Sequence, residues 1–274
     1  MRKDAVLPAL ALVGGGAGAV LRYWQITTSL VQETMLFRAD TPSTAVLLTV
    51  LAVFAALFFI LLRSVRGNNS YSESFSCPSA GYMTLMAAGG FLLIAAAALG
   101  FLEGMKQLRV WQAGWAINLP VMMLLTAALS VTGGLAALVL GKGNYRGNLS
   151  TAYPLLAVLP AYAAVPWVVW LYQENSRQPQ IFFYIFTLLA AICTMLGLYY
   201  GACFAFQTPS PKRCLFFSLM GIVLLITSLA DCPNLFQMII SAAMVLLLLA
   251  QCYALLHNCV GSEQPSFGKI PAAE

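Results

Sequence analysis

Two five-residue segments, LRYWQ at 21–25 and LRVWQ at 108–112, carry an arginine, a tryptophan and a glutamine at the same spacing. A guanidinium group beside an aromatic ring and an amide is suited to an anionic head group such as phosphate or carboxylate. We therefore predict contacts with an anionic lipid head group or ligand at Arg22, Trp24, Gln25, Arg109, Trp111 and Gln112. The alternative is that the tryptophans anchor helix ends at a membrane interface and the arginines form local ion pairs.

The repetition of this segment has two explanations. Each copy follows an apolar stretch that contains glycine and precedes the next apolar stretch, as duplication of a two-helix unit would produce. Five residues with one mismatch also arise by chance. The sequence leaves both explanations open.

The residues needed for familiar catalytic sites are missing from the sequence. Its single histidine, His257, cannot supply the paired ligands of a bis-histidine haem. The sequence has no P-loop, no His-Glu-x-x-His and no Gly-x-Ser-x-Gly motif. We therefore predict that the chain is not an enzyme and binds no cofactor or metal, and nothing in its charge indicates nucleic acid as a partner.

Ion-coupled transporters keep a charged residue near the middle of the membrane, because the coupled ion is bound there. No apolar stretch of this chain has one at its centre. The nearest carboxylates, Glu103 and Asp231, fall at predicted helix ends, where we expect them to be solvated or paired with Lys106, Arg109 or Arg22.

Two prolines, Pro160 and Pro166, fall inside one apolar stretch, where each removes a backbone donor and can bend a helix. They are candidate hinge residues beside a cavity, and the alternative is a static, packed kink. Five polar residues inside apolar stretches could contact a neutral solute: Thr126, Ser130, Thr132, Thr194 and Gln251.

The composition predicts a membrane protein. The chain of 274 residues is 61% hydrophobic and only 8% charged, whereas soluble domains are about 45–50% apolar and about 25% charged. Because a helix needs about 20 apolar residues to cross the hydrocarbon, the sequence predicts eight spans. They are Ala5–Leu21, Ser43–Leu62, Tyr82–Leu102, Leu119–Gly141, Pro154–Gln173, Ile181–Phe206, Cys214–Ala230 and Leu235–His257.

The distribution of basic residues predicts the orientation. If the N-terminus is inside, nine of the 14 lysines and arginines face the cytoplasm, and lysine and arginine favour that side. These nine are Arg2, Lys3, Arg63, Arg66, Lys142, Arg146, Lys212, Arg213 and Lys269. We predict that both termini are cytoplasmic and that the membrane is the cytoplasmic membrane of a bacterium.

The first apolar stretch has an alternative interpretation as a signal peptide. Arg2 and Lys3 precede it, and the run AGA at 17–19 resembles a cleavage site. The run GGG at 14–16 interrupts the stretch, and removing it would leave seven spans with the opposite charge balance. We therefore favour a retained first span.

The sequence predicts an all-α bundle of about eight transmembrane helices in one membrane domain (residues 1–260), with a short polar tail at 261–274. Two related four-helix halves are one arrangement of that bundle. The preferred function is a non-catalytic membrane component that acts through membrane lipids, a membrane protein partner or a second copy of itself. The alternative is a permease or channel-like carrier for a neutral or weakly polar solute. A cavity reaching both prolines would favour the carrier, and a packed interior the first function.

Overall fold

The structure is a computed structural model that describes residues 3–31, 36–38, 41–65, 70–110, 118–176, 184–231 and 234–260. In these ranges eight helices are long and apolar enough to cross a membrane. They are α1 (Lys3–Ser29), α2 (Pro42–Leu62), α4 (Ala80–Val110), α5 (Asn118–Arg146), α6 (Tyr153–Asn175), α7 (Ile185–Cys203), α8 (Pro211–Ser228) and α9 (Leu235–Val260). The predicted all-α bundle of eight spans is confirmed.

Three smaller features join the long helices. A five-residue helix, α3 (Tyr71–Phe75), lies between α2 and α4. Two short strands, β1 (Leu30–Val31) and β2 (Leu36–Phe37), pair antiparallel between α1 and α2. Single 3-10 turns follow α7 at Phe204–Phe206 and α8 at Leu229–Asp231.

Several helices extend beyond the spans that hydropathy predicts, and the clearest cases are α1 and α4. The first predicted span stops at Leu21, but α1 continues to Ser29, and the third stops at Leu102, but α4 continues to Val110. Backbone hydrogen bonds can extend a helix through residues with polar side chains, whereas hydropathy detects only the apolar ones. The polar end of α1 is stabilised by side-chain partners, which are described below.

The bundle has two distinct ends. We call the end at which α3 lies the α3 end, and the end at which β1 and β2 lie the hairpin end. Asn258 near the end of α9 donates to backbone oxygens of Ser74 and Ser76, which fixes the α3 end. Arg22 on α1 meets Asp231 beyond α8 at the hairpin end.

The central helices are α8 and α9, which have the largest buried share of their spans. On one side, α1 packs on α8 and α9, and α2 packs on α1. On the other side, α4 packs on α9 and α5, and α6 lies between α5 and α7. The first four spans therefore pack mainly on the last four and do not close on themselves as a separate four-helix half.

Glycines allow these helices to approach closely. A Cβ at Gly14 would lie 2.7 Å from the Phe54 ring, and a Cβ at Gly18 would overlap the Thr227 hydroxyl. The same holds where Gly197 meets Ser218. Small residues at helix contacts are a general means of association in membranes, because close packing replaces the missing hydrophobic drive.

Adding one methyl group to α1 tests this packing. A Cβ at Gly15 would lie 2.7 Å from Cβ of Ile226, an atom that no side-chain rotation can move away. We expect Gly15→Ala to destabilise the chain by about 1–3 kcal/mol, the usual cost of overpacking. The adjacent Gly16 has no atom within 4 Å of such a Cβ, so Gly16→Ala should leave the melting temperature in mild detergent unchanged or higher. Equal melting temperatures for the two variants would contradict the α1–α8 contact.

Candidate functional site

The hairpin end contains a buried ion pair. Nε of Arg22 donates to Oδ1 of Asp231 at 2.8 Å, and the side chains are 1% and 10% exposed. Nη1 of the same guanidinium donates to Oε1 of Gln25 at 2.6 Å, one helical turn further along α1. Its Cζ lies 4.8 Å from the ring centre of Phe186 and 5.3 Å from that of Phe37. The guanidinium therefore has a carboxylate, an amide and two aromatic rings around it.

Hydroxyl and amide groups extend this site to the beginning of α2. Nε2 of Gln25 donates to Oγ1 of Thr44 at 2.7 Å. Further along, the hydroxyls of Ser29 and Ser43 lie 2.6 Å apart, and Ser29 donates to Thr41 at 2.8 Å. These bonds explain why α1 continues past its apolar stretch, because each polar side chain finds a partner inside the protein.

The six residues predicted to contact a head group have different surroundings. Arg22 and Gln25 lie together in the buried cluster, whereas Trp24 is 40% exposed on the same helix. Arg109 is exposed at the end of α4, and the hydrogen bonds described for the cluster do not include it. Trp111 and Gln112 lie outside the described residues. The head-group contact of these segments stays a prediction.

A small cavity lies under α3, inside the α3 end. Its volume is about 60 Å³, and its polar lining comes from Tyr71, Tyr82, Asn144 and Gln251. Nδ2 of Asn144 donates to the hydroxyl of Tyr82 at 2.8 Å. Burial raises the pKa of Tyr71 to about 12, although a hydrogen bond with Asn144 lowers it, so this hydroxyl stays protonated at neutral pH. The cavity therefore presents neutral hydrogen-bonding groups.

Gln251 holds three helices together beside this cavity. Its Nε2 on α9 donates to the backbone oxygen of Gly197 on α7 at 2.8 Å. The same nitrogen lies 2.9 Å from Sγ of Cys214 on α8. An amide inside a bundle stabilises helix contacts most when the alternative is an unsatisfied polar group. Gln251 is therefore the one predicted solute-contacting residue that both lines the cavity and bonds across helices.

The other polar residues predicted to line a solute path have local partners. Thr126, Thr132 and Thr194 each donate to a backbone oxygen of their own helix, at 2.7–2.9 Å. None of them, nor Ser130, lines the cavity under α3. A threonine that bonds its own helix is common in apolar helices and does not by itself indicate a path.

The two candidate hinge prolines differ in what they touch. α6 runs from Tyr153 to Asn175 as one helix that contains both. Pro160 lines the cavity, while Pro166 is buried and does not line it. The hinge stays a prediction, and the cavity expected for a carrier reaches one of the two prolines.

Sequence reasoning missed Tyr71, Tyr82 and Asn144. Tyr71 lies in the connector after α2, and Asn144 lies beyond the apolar part of α5. The short run YSESF at 71–75 was the available signal, because its tyrosine and phenylalanine are spaced to share one helix face. That face is buried in the structure.

A larger space opens at the surface of the α3 end. The last turn of α2 and the first turns of α8 enclose about 400 Å³, and we call this space the α2–α8 groove. It is lined by Phe59, Leu62, Arg63, Lys212, Arg213, Phe216 and Phe217. It therefore combines apolar and cationic side chains.

Together the eight apolar helices define a polytopic α-helical membrane protein. In the described ranges no three His, Cys, Asp or Glu side chains cluster to hold a metal ion. The chain matches no protein-family model, no curated protein and no solved structure in the comparisons made.

Removing one partner of the buried ion pair should destabilise the protein. A single Arg22→Met or Asp231→Leu substitution leaves an unpaired charge, which typically costs about 3–5 kcal/mol. The double variant should lose less than the sum of the two single losses, as measured by thermal unfolding in mild detergent. Lys106→Gln is the control, because Lys106 and Glu103 form an exposed pair at 3.5 Å that should contribute at most about 1 kcal/mol. If the loss of stability in the double variant equalled the sum of the two single losses, Arg22 and Asp231 would not be energetically coupled.

Proposed function

We propose that this chain is a non-catalytic membrane component that works through contacts with membrane lipids or a membrane protein. The proposal is supported by the sizes and positions of two spaces in the bundle. The cavity under α3 measures about 60 Å³, which is space for about two water molecules. The α2–α8 groove measures about 400 Å³ and lies at the surface of the bundle. Of these two spaces the larger lies at the surface of the bundle, where a lipid or a partner helix would lie.

The packing of the interior supports the same proposal. Side chains of α8 and α9 such as Leu219, Ile222 and Leu248 are fully buried. The buried guanidinium of Arg22 is paired with Asp231, so its charge is already engaged within the protein. Proton or ion coupling needs an ionisable group that can change its charge next to a water-filled path. The spaces described at the α3 end are not lined by Arg22 or Asp231.

We place this component in the cytoplasmic membrane of a bacterium, with both termini on the cytoplasmic side. The support is the excess of lysine and arginine at the α3 end, where α1 begins and α9 ends. Arg63, Lys142, Arg146, Lys212 and Arg213 all lie at that end. Lysine and arginine in short loops are retained on the cytoplasmic side during insertion.

Purification from the native membrane tests the proposal. We expect the tagged full-length chain, extracted in a mild detergent, to retain a stoichiometric protein partner or a defined phospholipid. Mass spectrometry of the intact complex and of extracted lipids measures both, and an unrelated tagged membrane protein is the control. A chain that retains neither and transports a solute after reconstitution would contradict the proposal.

A second candidate is a carrier for a small neutral solute, and the cavity under α3 favours it. That cavity joins hydroxyl and amide groups to Pro160, whose missing N–H weakens the helix beside it. The two tyrosines and two amides carry no charge, which suits a neutral solute such as a small polyol or urea.

Solute flux distinguishes this second candidate. If it is right, proteoliposomes should admit glycerol or urea faster than protein-free liposomes, as followed by stopped-flow light scattering. Gln251→Met should then slow the flux at least about tenfold, because it removes an amide that lines the cavity. Thr132→Val is the control, since that hydroxyl is exposed and bonds its own helix. Flux equal to that of protein-free liposomes rejects the carrier.

A further inference from the structure

We propose that the α2–α8 groove binds one anionic phospholipid. Its phosphate lies among the cations Arg63, Lys212 and Arg213. An acyl chain lies on the rings of Phe59, Phe216 and Phe217, which form the apolar floor of the groove. This inference deepens the proposed function by naming a lipid class and its binding site. Leu62 ends α2 and Pro211 begins α8, so the groove opens where two spans leave the hydrocarbon.

The apolar floor lies on the membrane side of the cations. Phe59 is one turn before Arg63 on α2, and Phe216 and Phe217 are one turn after Lys212 and Arg213 on α8. An acyl chain can cover these rings, whereas a soluble anion would leave them uncovered. Basic pockets between transmembrane helices at the cytoplasmic side are typical binding sites for anionic head groups.

The three cations are held at the rim of the groove by the protein. Nζ of Lys212 donates to the backbone oxygen of Arg63 at 2.9 Å, which joins the beginning of α8 to the end of α2. Cζ of Arg63 lies 5.1 Å from the ring centre of Phe59, and Cζ of Arg213 lies 6.0 Å from that of Tyr200. A cation over an aromatic face is attracted to it, so both guanidinium groups have a preferred place.

The charge of these cations is not offset within the described chain. The two ion pairs found there are Arg22 with Asp231 and Lys106 with Glu103. Lys212 and Arg213 lie in the first turn of α8, where the positive end of the helix dipole disfavours cations. That turn has no acidic residue to offset their charge. A phosphate would offset the charge of all three side chains, and a zwitterionic lipid would do so less well.

A lipid bound in the groove would stabilise the position of α2, because α2 packs weakly on the rest of the bundle. Only 22% of the α2 span is buried, the lowest share of the eight, and α2 packs chiefly on α1. A lipid in the groove contacts both α2 and α8, so it would hold α2 against the core. On the predicted orientation the groove faces the cytoplasmic leaflet, whose surface is rich in anionic lipid.

Lipid titration of the purified full-length chain tests the inference. We compare phosphatidylglycerol with phosphatidylcholine by native mass spectrometry, using wild type and the double variant Arg63→Gln with Arg213→Gln. These two side chains make ring contacts but no hydrogen bond that joins helices. Each cation near a membrane surface contributes roughly fivefold in affinity, so the variant should bind phosphatidylglycerol about 25-fold more weakly. Its affinity for phosphatidylcholine should change less than about twofold.

The matched control is Lys142→Gln with Arg146→Gln, which removes the same charge at the same end. Those residues line a space of about 210 Å³ that also includes Asn148 and Ser150. This control should retain wild-type affinity for phosphatidylglycerol within about twofold. An equal loss in both variants would show a general charge effect and overturn the groove as the site. Displacement of the lipid by millimolar inorganic phosphate would show a phosphate site and overturn the lipid.

A second measurement works on the wild-type chain and needs no variant to fold. Photoactivatable phosphatidylglycerol should crosslink to peptides that contain residues 59–63 and 212–217, and excess phosphatidylglycerol should prevent this. Crosslinks spread evenly over the spans, or undiminished by excess lipid, would overturn the inference. Loss of the groove lipid with a protein partner still retained would leave the proposed function standing, so the two failures are distinguishable.

Discussion

Hydrocarbon offers no hydrogen-bond partner, so a polar group placed at its depth is much more stable when it finds a partner inside the protein. This constraint explains the long unbroken helices, whose backbone groups bond within each segment. It also explains the pairing of Arg22 with Asp231, because a lone guanidinium at 1% exposure would be very unstable. Gln251 obeys the same rule where it bonds to Gly197 across two helices.

The polar groups give the two ends of the bundle different characters. At the hairpin end an ion pair and a chain of hydroxyls join α1 to α2 and to the turn after α8. These groups bond to one another and so hold α1, α2 and the turn after α8 together. At the α3 end the cations Arg63, Lys212 and Arg213 are exposed and have no carboxylate partner in the described ranges. Charge that is unpaired and accessible is available for a ligand, whereas paired and buried charge is engaged within the protein.

The size of the spaces separates the two functional classes. A carrier needs a path through the bundle, and the cavity under α3 is small and reaches only Pro160 of the two prolines. A component that binds lipid or another helix needs accessible space at its surface, and the α2–α8 groove provides it. Glycines such as Gly14 and Gly197 are already in contact with other helices of the chain. A partner helix would therefore meet the large apolar side chains that remain exposed, such as Val53 and Phe59 on α2.

The sequence alone determined the fold class and the number of spans, because apolar stretches of about 20 residues have few other stable structures. It also predicted that Asp231 and Glu103 would be solvated or paired with nearby basic residues, since a charge at a helix end seeks an opposite charge. Only the tertiary structure decided that the two LRxWQ arginines differ. Arg22 is buried and paired with Asp231, while Arg109 is exposed at the end of α4. Helix packing likewise brought Arg63 beside Lys212, 149 positions along the chain. Hydropathy depends on local composition, whereas these contacts depend on which helix faces which, and that is set by the packing of the whole bundle.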